Sequence, residues 1–185
     1  MRILELMDDD EKILQQAAAL LVIGFKENWP NAWPTMDSAI KEVKNSFGED
    51  RVNRIAVNEK GFILGWIGAV KTYRGNVWAI HPLIVRPDQQ KQGIGRALIY
   101  DIENIVRELG GHTLWAGSDD ENSMTSLSNT DLYTNLPEKI ANIQNLKEHP
   151  YEFYQKMGFT IVGVLPDANG IGKPDIFLAK RISKL

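Results

Sequence analysis

The chain of 185 residues is 43% hydrophobic and 24% charged, an ordinary globular balance that excludes a disordered or fibrous protein. It has no cysteine, which removes disulfide frameworks, thiolate metal sites and a cysteine nucleophile, and its length can bury a core without such staples. A net charge of −3, from 21 Lys plus Arg against 24 Asp plus Glu, argues against a protein built to bind nucleic acid and is compatible with a cationic small-molecule partner. One domain over residues 1–185 is expected. The apolar stretch from Ala17 to Ile23 is too short to span a bilayer, and Asp8, Asp9 and Asp10 do not suit a signal peptide, so a cytoplasmic protein without a membrane partner is expected.

Residues 1–6 read as a first strand. Asp8 to Asp10 offer an N-cap and an acidic first turn to a helix carrying Ile13, Leu14, Ala17, Leu20 and Leu21 on one face and ending before Pro30. Trp29 and Trp33 lie among prolines in a stretch from Asn28 to Pro34, which reads as a loop held by aromatic burial, and a second helix follows from about Met36 to Phe47. From Arg51 the period changes to β-rich runs around Val52 to Val57, Phe62 to Val70 and Val77 to Val85, an antiparallel meander with a turn at Lys60-Gly61.

Beyond Pro87 a polar stretch leads to a helix in which Ile94, Leu98, Ile102, Ile105 and Leu109 repeat at helical spacing, closed by Gly110-Gly111. His112 to Gly117 reads as a strand and Ser118 to Thr130 as a polar loop, with Pro137 opening a helix in the ambiguous segment Leu132 to Leu146. A short helix over Tyr151 to Met157 stops at Gly158. Strands over Phe159 to Leu165 and Asp175 to Ile182 then flank a turn from Asp167 to Pro174. This order implies an α+β fold with a single mixed, mostly antiparallel central sheet and flanking helices.

The segment Gln90-Lys91-Gln92-Gly93-Ile94-Gly95-Arg96 joins a strand to an amphipathic helix, so free backbone N–H groups and the positive helix end meet there as an anion seat. The glycines would let a diphosphate approach the backbone, with Lys91 and Arg96 adding charge. A plain strand-to-helix turn has the same spacing.

That loop, following Leu83-Ile84-Val85, resembles the acetyl-CoA pyrophosphate loop of the GNAT superfamily of N-acetyltransferases. The stretch Tyr151-Glu152-Phe153-Tyr154-Gln155-Lys156-Met157-Gly158-Phe159 resembles that superfamily's tyrosine-bearing helix and Gly-Phe step. His81-Pro82-Leu83, Gly117 to Asp120, Thr130 to Tyr133, Ile143 to Leu146, His149 to Tyr154 and Ile161 to Asp175 are together similar to the aminoglycoside 6′-N-acetyltransferases of the chromosomal enterococcal type. The resemblance is densest from Trp66 to Lys180.

The resemblance implies the GNAT acyl-CoA acyltransferase fold, acetyl-CoA as cosubstrate and a homodimer, while three scattered histidines without ligand spacing imply no metal. It implies that the backbone of Leu83, Ile84 and Val85 holds the pantetheine by strand-like hydrogen bonds and that residues 90–96, from Gln90 to Arg96, seat the diphosphate. The Leu83 N–H would stabilise the oxyanion formed when an amine attacks the thioester. Tyr154, at the family's tyrosine position, would protonate or hydrogen-bond the thiolate; packing of a helix on the sheet is its other use. His81 is the base candidate, two residues before Leu83 and on that count on the same strand face, with a structural histidine or a water chain as alternatives.

Relatives carry a glutamate where this chain has Ala79, and many acetyltransferases carry a cofactor-touching asparagine where it has Lys147, which is left unassigned. A polyamine acceptor needs carboxylates and flat apolar walls. Asp119, Asp120 and, more weakly, Asp175 are the carboxylate candidates, and each could instead cap a turn. Trp29 and Tyr73 are wall candidates by resemblance, with core packing the alternative for Trp29. The leading expectation is direct acetyl transfer to a primary amine, the 6′-amine of an aminoglycoside. The alternatives are acetylation of a protein or polyamine amine, or a lapsed acyl-CoA-binding module.

Overall fold

The computed structural model describes residues 1–184. The chain forms two compact units, Met1–His112 and the remainder from Thr113, each described by itself.

In the first unit four strands run antiparallel in chain order: β1 (Arg2–Glu5), β2 (Arg51–Val57), β3 (Ile63–Thr72) and β4 (Val77–Val85). Helix α1 (Glu11–Phe25) begins at Asp10, whose side chain accepts from the N–H groups of Lys12 and Ile13. Helix α2 (Met36–Asn45) begins at a reciprocal cap between Thr35 and Ser38. Their apolar stripes, Leu14, Ala17, Leu20 and Leu21 with Ala39 and Val43, pack with Ile55, Val57, Trp66 and Ile84 into one buried core. Helix α3 (Ile94–Glu108) buries Ile94, Leu98, Ile99, Ile102 and Val106. A side chain at Gly65 would meet its Ile94 and Leu98, and Arg54 of β2 pairs with its Asp101 at 2.6 Å.

One register shift governs what β4 presents. Ile67 pairs with Leu83 but Ala69 with Ile80, so Gly68 alone faces both His81 and Pro82 across a β-bulge. A Cβ on Gly68 would collide with the His81 carbonyl oxygen, which is why the bulge needs glycine there. Because cross-strand partners share a face, Leu83 joins Ile67 and Ala69 on one face, while Ala79 and Ile84 join Val70 and Trp66 on the other. His81, two residues after Ala79, lies with the latter group. The expectation that His81 and Leu83 share a face is therefore corrected: alternation along β4 is broken by the extra residue between them.

In the second unit β5 (Thr113–Asp119), β6 (Thr160–Leu165) and β7 (Asp175–Arg181) form antiparallel pairs with β7 in the middle. Strand β5 runs two residues past the expected end at Gly117, which places Asp119 in the ladder opposite Asp175. Helix α4 (Leu136–Ala141) has proline in its first turn, and α5 (Tyr151–Lys156) ends before Gly158, whose φ is +85°. The segment after β5 is irregular, as expected, yet it buries Met124, Thr125 and Leu127.

Candidate active site

In the first unit the candidate groups gather around β4. The Arg86 N–H donates to the Leu64 carbonyl, so Ile84, two residues back, also bonds toward β3, and the N–H and C=O groups of Leu83 and Val85 point away from it. This is the orientation that an oxyanion donor at Leu83 requires. The Val85 carbonyl accepts from the Gln90 side chain at 3.3 Å.

The loop after β4 makes a 3₁₀ turn at Pro87–Gln89, then places Lys91 at φ 61° and Gly93 at φ 86°. Gly93 is the N-cap of α3, and no side chain caps this helix. The first helical bond runs from the Ala97 N–H to the Gly93 carbonyl, so the N–H groups of Ile94, Gly95 and Arg96 precede the helical ladder. A Cβ built on Gly93 meets nothing within 4 Å, so the backbone there faces open space. The loop thus has the dipole, the donors and the room of an anion seat. Nearby, Arg86 and Gln89 bond to Asp88, whose carboxyl the Arg86 hydrogen bond holds below its ordinary value.

His81 is half exposed, with Nε2 3.3 Å from the Glu42 Oε1 of α2. Its ring lies 6.0 Å from that of Trp33, which packs edge-on against Phe25 at 4.6 Å; Trp29 lies 5.6 Å from Phe25. Trp29, Pro30, Trp33 and Pro34 with Val22 and Lys26 line a hollow of about 310 Å³. Both tryptophans are partly buried and packed on Phe25, with Trp33 against the core, so aromatic packing holds the loop in part, as expected, while both rings also line the hollow. Tyr73, the other wall candidate, is 75% exposed in the β3–β4 turn.

In the second unit Tyr154 is buried, its ring against Phe153 and Phe159. Burial pushes its phenol above the ordinary tyrosine range. The three carboxylate candidates part company. Asp120 is fully buried and accepts from the Met124 N–H at 2.6 Å, the Thr125 N–H at 2.8 Å and the Thr125 hydroxyl at 2.7 Å. It takes the capping role of its two readings, and a substrate cannot reach it in this arrangement. Asp119 accepts from the Asn169 side chain at 2.6 Å. Asp175, across the ladder from Asp119, has a buried Oδ1 without a hydrogen-bond partner, and burial first, then the Asp119 charge, push its carboxyl up to about 6.

Sequence reasoning gave no role to four residues that the fold brings to these groups: Trp33 at the hollow, Glu42 beside His81, Asn169 on Asp119, and His149. The last is a buried structural histidine whose Nδ1 accepts from the Tyr151 N–H and whose Nε2 faces the Asp119 carbonyl at 3.2 Å. Burial lowers its pKa, against the nearby Asp120. Trp33 carried a signal in its place beside Trp29 between prolines, and His149 and Asn169 lay in stretches that carry the resemblance, but nothing in the sequence joined them or Glu42 to these partners.

The profile of the acetyltransferase (GNAT) family matches residues 16–126, well over half of the chain. The chain belongs to this family. It is 40% identical to an aminoglycoside 6′-N-acetyltransferase solved in complex with coenzyme A, covering 100% of this chain and 99% of that one with a TM-score of 0.92. The aminoglycoside 6′-N-acetyltransferase from Enterococcus faecium is also 40% identical at the same coverages, with a TM-score of 0.89. An aminoglycoside 6′-acetyltransferase of type Ii is 32% identical over 100% of this chain and 99% of its own, at 0.76. A search of curated protein sequences gave no significant match. The fold of this GNAT acetyltransferase is the one its sequence implies. No helix among the described residues is long and apolar enough to cross a membrane.

Proposed function

We propose that this chain is an acetyl-CoA-dependent N-acetyltransferase of a single domain, acting as a homodimer, whose acceptor is the 6′-amine of an aminoglycoside. The observation that carries the acceptor is the 40% identity, over the whole chain, to two aminoglycoside 6′-N-acetyltransferases. In this reading the N–H groups of Ile94, Gly95 and Arg96 take the cosubstrate's diphosphate, with Gln90, Lys91 and Gln92 around it. The Leu83 N–H, fixed before reaction, receives the oxyanion. In the first unit Trp29 and Trp33 suit a flat wall for a sugar ring, and in the second Asp119 and Asp175 are the carboxylates that suit ammonium groups.

The chemistry is one bond made and one broken. The amine nitrogen bonds to the acetyl carbon, the carbon–sulfur bond cleaves, the amine gives up a proton and the thiolate gains one. Tyr154, kept protonated by burial, suits the donor and not the acceptor. His81 is the acceptor. Much of the remaining acceleration comes from holding amine and thioester together.

The test is thiol release from acetyl-CoA with kanamycin, tobramycin, a 6′-hydroxy aminoglycoside, spermidine and a lysine peptide; a chain without cysteine adds no background. Turnover confined to the 6′-amino aminoglycosides is expected. Turnover with spermidine or the peptide alone would transfer the acceptor to that class, and coenzyme A binding without turnover would mark a lapsed enzyme.

A further inference from the structure

His81 stands on the face that the bulge keeps on the side of Trp66 and Ile84, and the carboxylate at its ring belongs to Glu42, with Nε2 3.3 Å from Oε1. The carboxylate is three-quarters shielded and its position is determined from both ends of α2. At the start Thr35 and Ser38 cap each other; at the end the Ser46 carbonyl accepts from the Asn53 side chain at 2.7 Å, and the Asn53 oxygen accepts from the Trp66 indole at 3.0 Å. Buried Ala39 and Val43 fix which face of the helix turns inward. Trp33 lies against the imidazole at 6.0 Å, while Ala79, two residues back on β4, offers no titratable group.

An ionised carboxylate only accepts hydrogen bonds, so the proton of this pair sits on the imidazole Nε2, and a neutral ring then carries its lone pair on Nδ1. We infer that Glu42 is a positioning residue for His81, holding the imidazole as the Nε2–H tautomer so that Nδ1 receives the proton of the acceptor amine. This deepens the acetyltransferase reading and rests on it. As the nitrogen bonds to the acetyl carbon its proton passes to Nδ1, and the imidazolium keeps its Nε2–H on Glu42. The leaving thiolate takes the Tyr154 proton, and solvent returns the imidazolium proton to the phenolate, so the protons balance.

Nitrogen-15 NMR of the His81 ring in the full chain, assigned against His81→Gln and recorded in alkaline buffer, reads the tautomer directly. The wild type is expected to show Nε2–H, Glu42→Gln to retain it through the amide oxygen, and Glu42→Leu to show a mixture. In steady-state kinetics Glu42→Leu should lower kcat about tenfold, with Glu42→Gln in between and coenzyme A affinity and melting temperature unchanged. A tautomer unmoved in Glu42→Leu overturns the pairing, whatever the rate does. A shifted tautomer with unchanged kcat overturns its part in the transfer. Wild-type protein inert toward every amine overturns the acetyltransferase reading and with it the Nδ1 role, while the NMR arm, which needs no turnover, still decides the pairing.

Discussion

A phenol that burial holds protonated can hydrogen-bond or protonate a thiolate but has no vacant site to take a proton from an ammonium, so Tyr154 suits the leaving-group side and not the base. Tyr154→Phe keeps the ring against Phe153 and Phe159, so we expect kcat to fall about a hundredfold with coenzyme A affinity and melting temperature unchanged. A loss of affinity equal to the loss of kcat would make the hydroxyl a binding group instead. Asp175 bears on stability. Its folded pKa of about 6 lies above the ordinary 3.8, so the fold favours the neutral acid. Its contribution is complete below about pH 4 and lost as pH rises through 6. Asp175→Asn, permanently uncharged, should therefore be more stable than wild type at pH 7–8 by about 1 kcal/mol once partial exposure is allowed for, the difference vanishing near pH 4. His149 runs the other way: burial favours its neutral ring, so its contribution is present above pH 6.5 and lost below. Urea unfolding from pH 4 to 8 reads both slopes, and a gain from Asp175→Asn that persists unchanged at pH 4 would rule out titration as its cause.

The strand β4 and the loop that follows it concentrate the backbone devices of the first unit. Gly93 combines a left-handed φ with open space, so Gly93→Val is penalised by its backbone and not by a clash, at a cost of about 1–2 kcal/mol. Its side chain would fill the room left for a diphosphate, and we expect coenzyme A to bind at least about tenfold more weakly, about 1.4 kcal/mol by calorimetry. Unchanged affinity would remove the anion seat from this loop. The sequence made the helix and its glycine entry legible, because a 3.6-residue apolar repeat and a Gly-x-Gly step are local patterns. It also made the meander legible, since alternation from Val52 to Val85 is read without partners. It did not reveal the bulge's register: Gly68 and Pro82 each mark an irregularity in their own strand, but one residue opposing two is a property of the pair. The same holds for Glu42, Asn169 and the buried carboxylate of Asp120, whose meaning depends on contacts made only in the fold. The two aspartates after Gly117 looked equivalent, and the two further residues of β5 gave one a place in the ladder and the other a loop to cap.

If the chain is one catalytic domain, its two units should unfold together and respond together to the cosubstrate. A ligand that binds only the folded state stabilises it by RT ln(1 + [L]/Kd), about 2.7 kcal/mol at a hundredfold excess over Kd. In one cooperative unit that increment reaches every amide whose exchange requires global opening, wherever it lies. The slowest amides of the first unit should sit in α3 and β3, where Ile67, Ile99 and Ile102 are fully buried, and those of the second in β5 and β7 around Leu114, Ile176 and Leu178. Hydrogen exchange with and without coenzyme A should therefore slow both sets by the same factor, about a hundredfold at that excess. Slowing confined to residues 1–112 would mean that the cosubstrate stabilises that unit alone. The chain would then be two domains, with Tyr154 on the one that coenzyme A does not stabilise, and the donor role argued for its phenol would have to be reassigned.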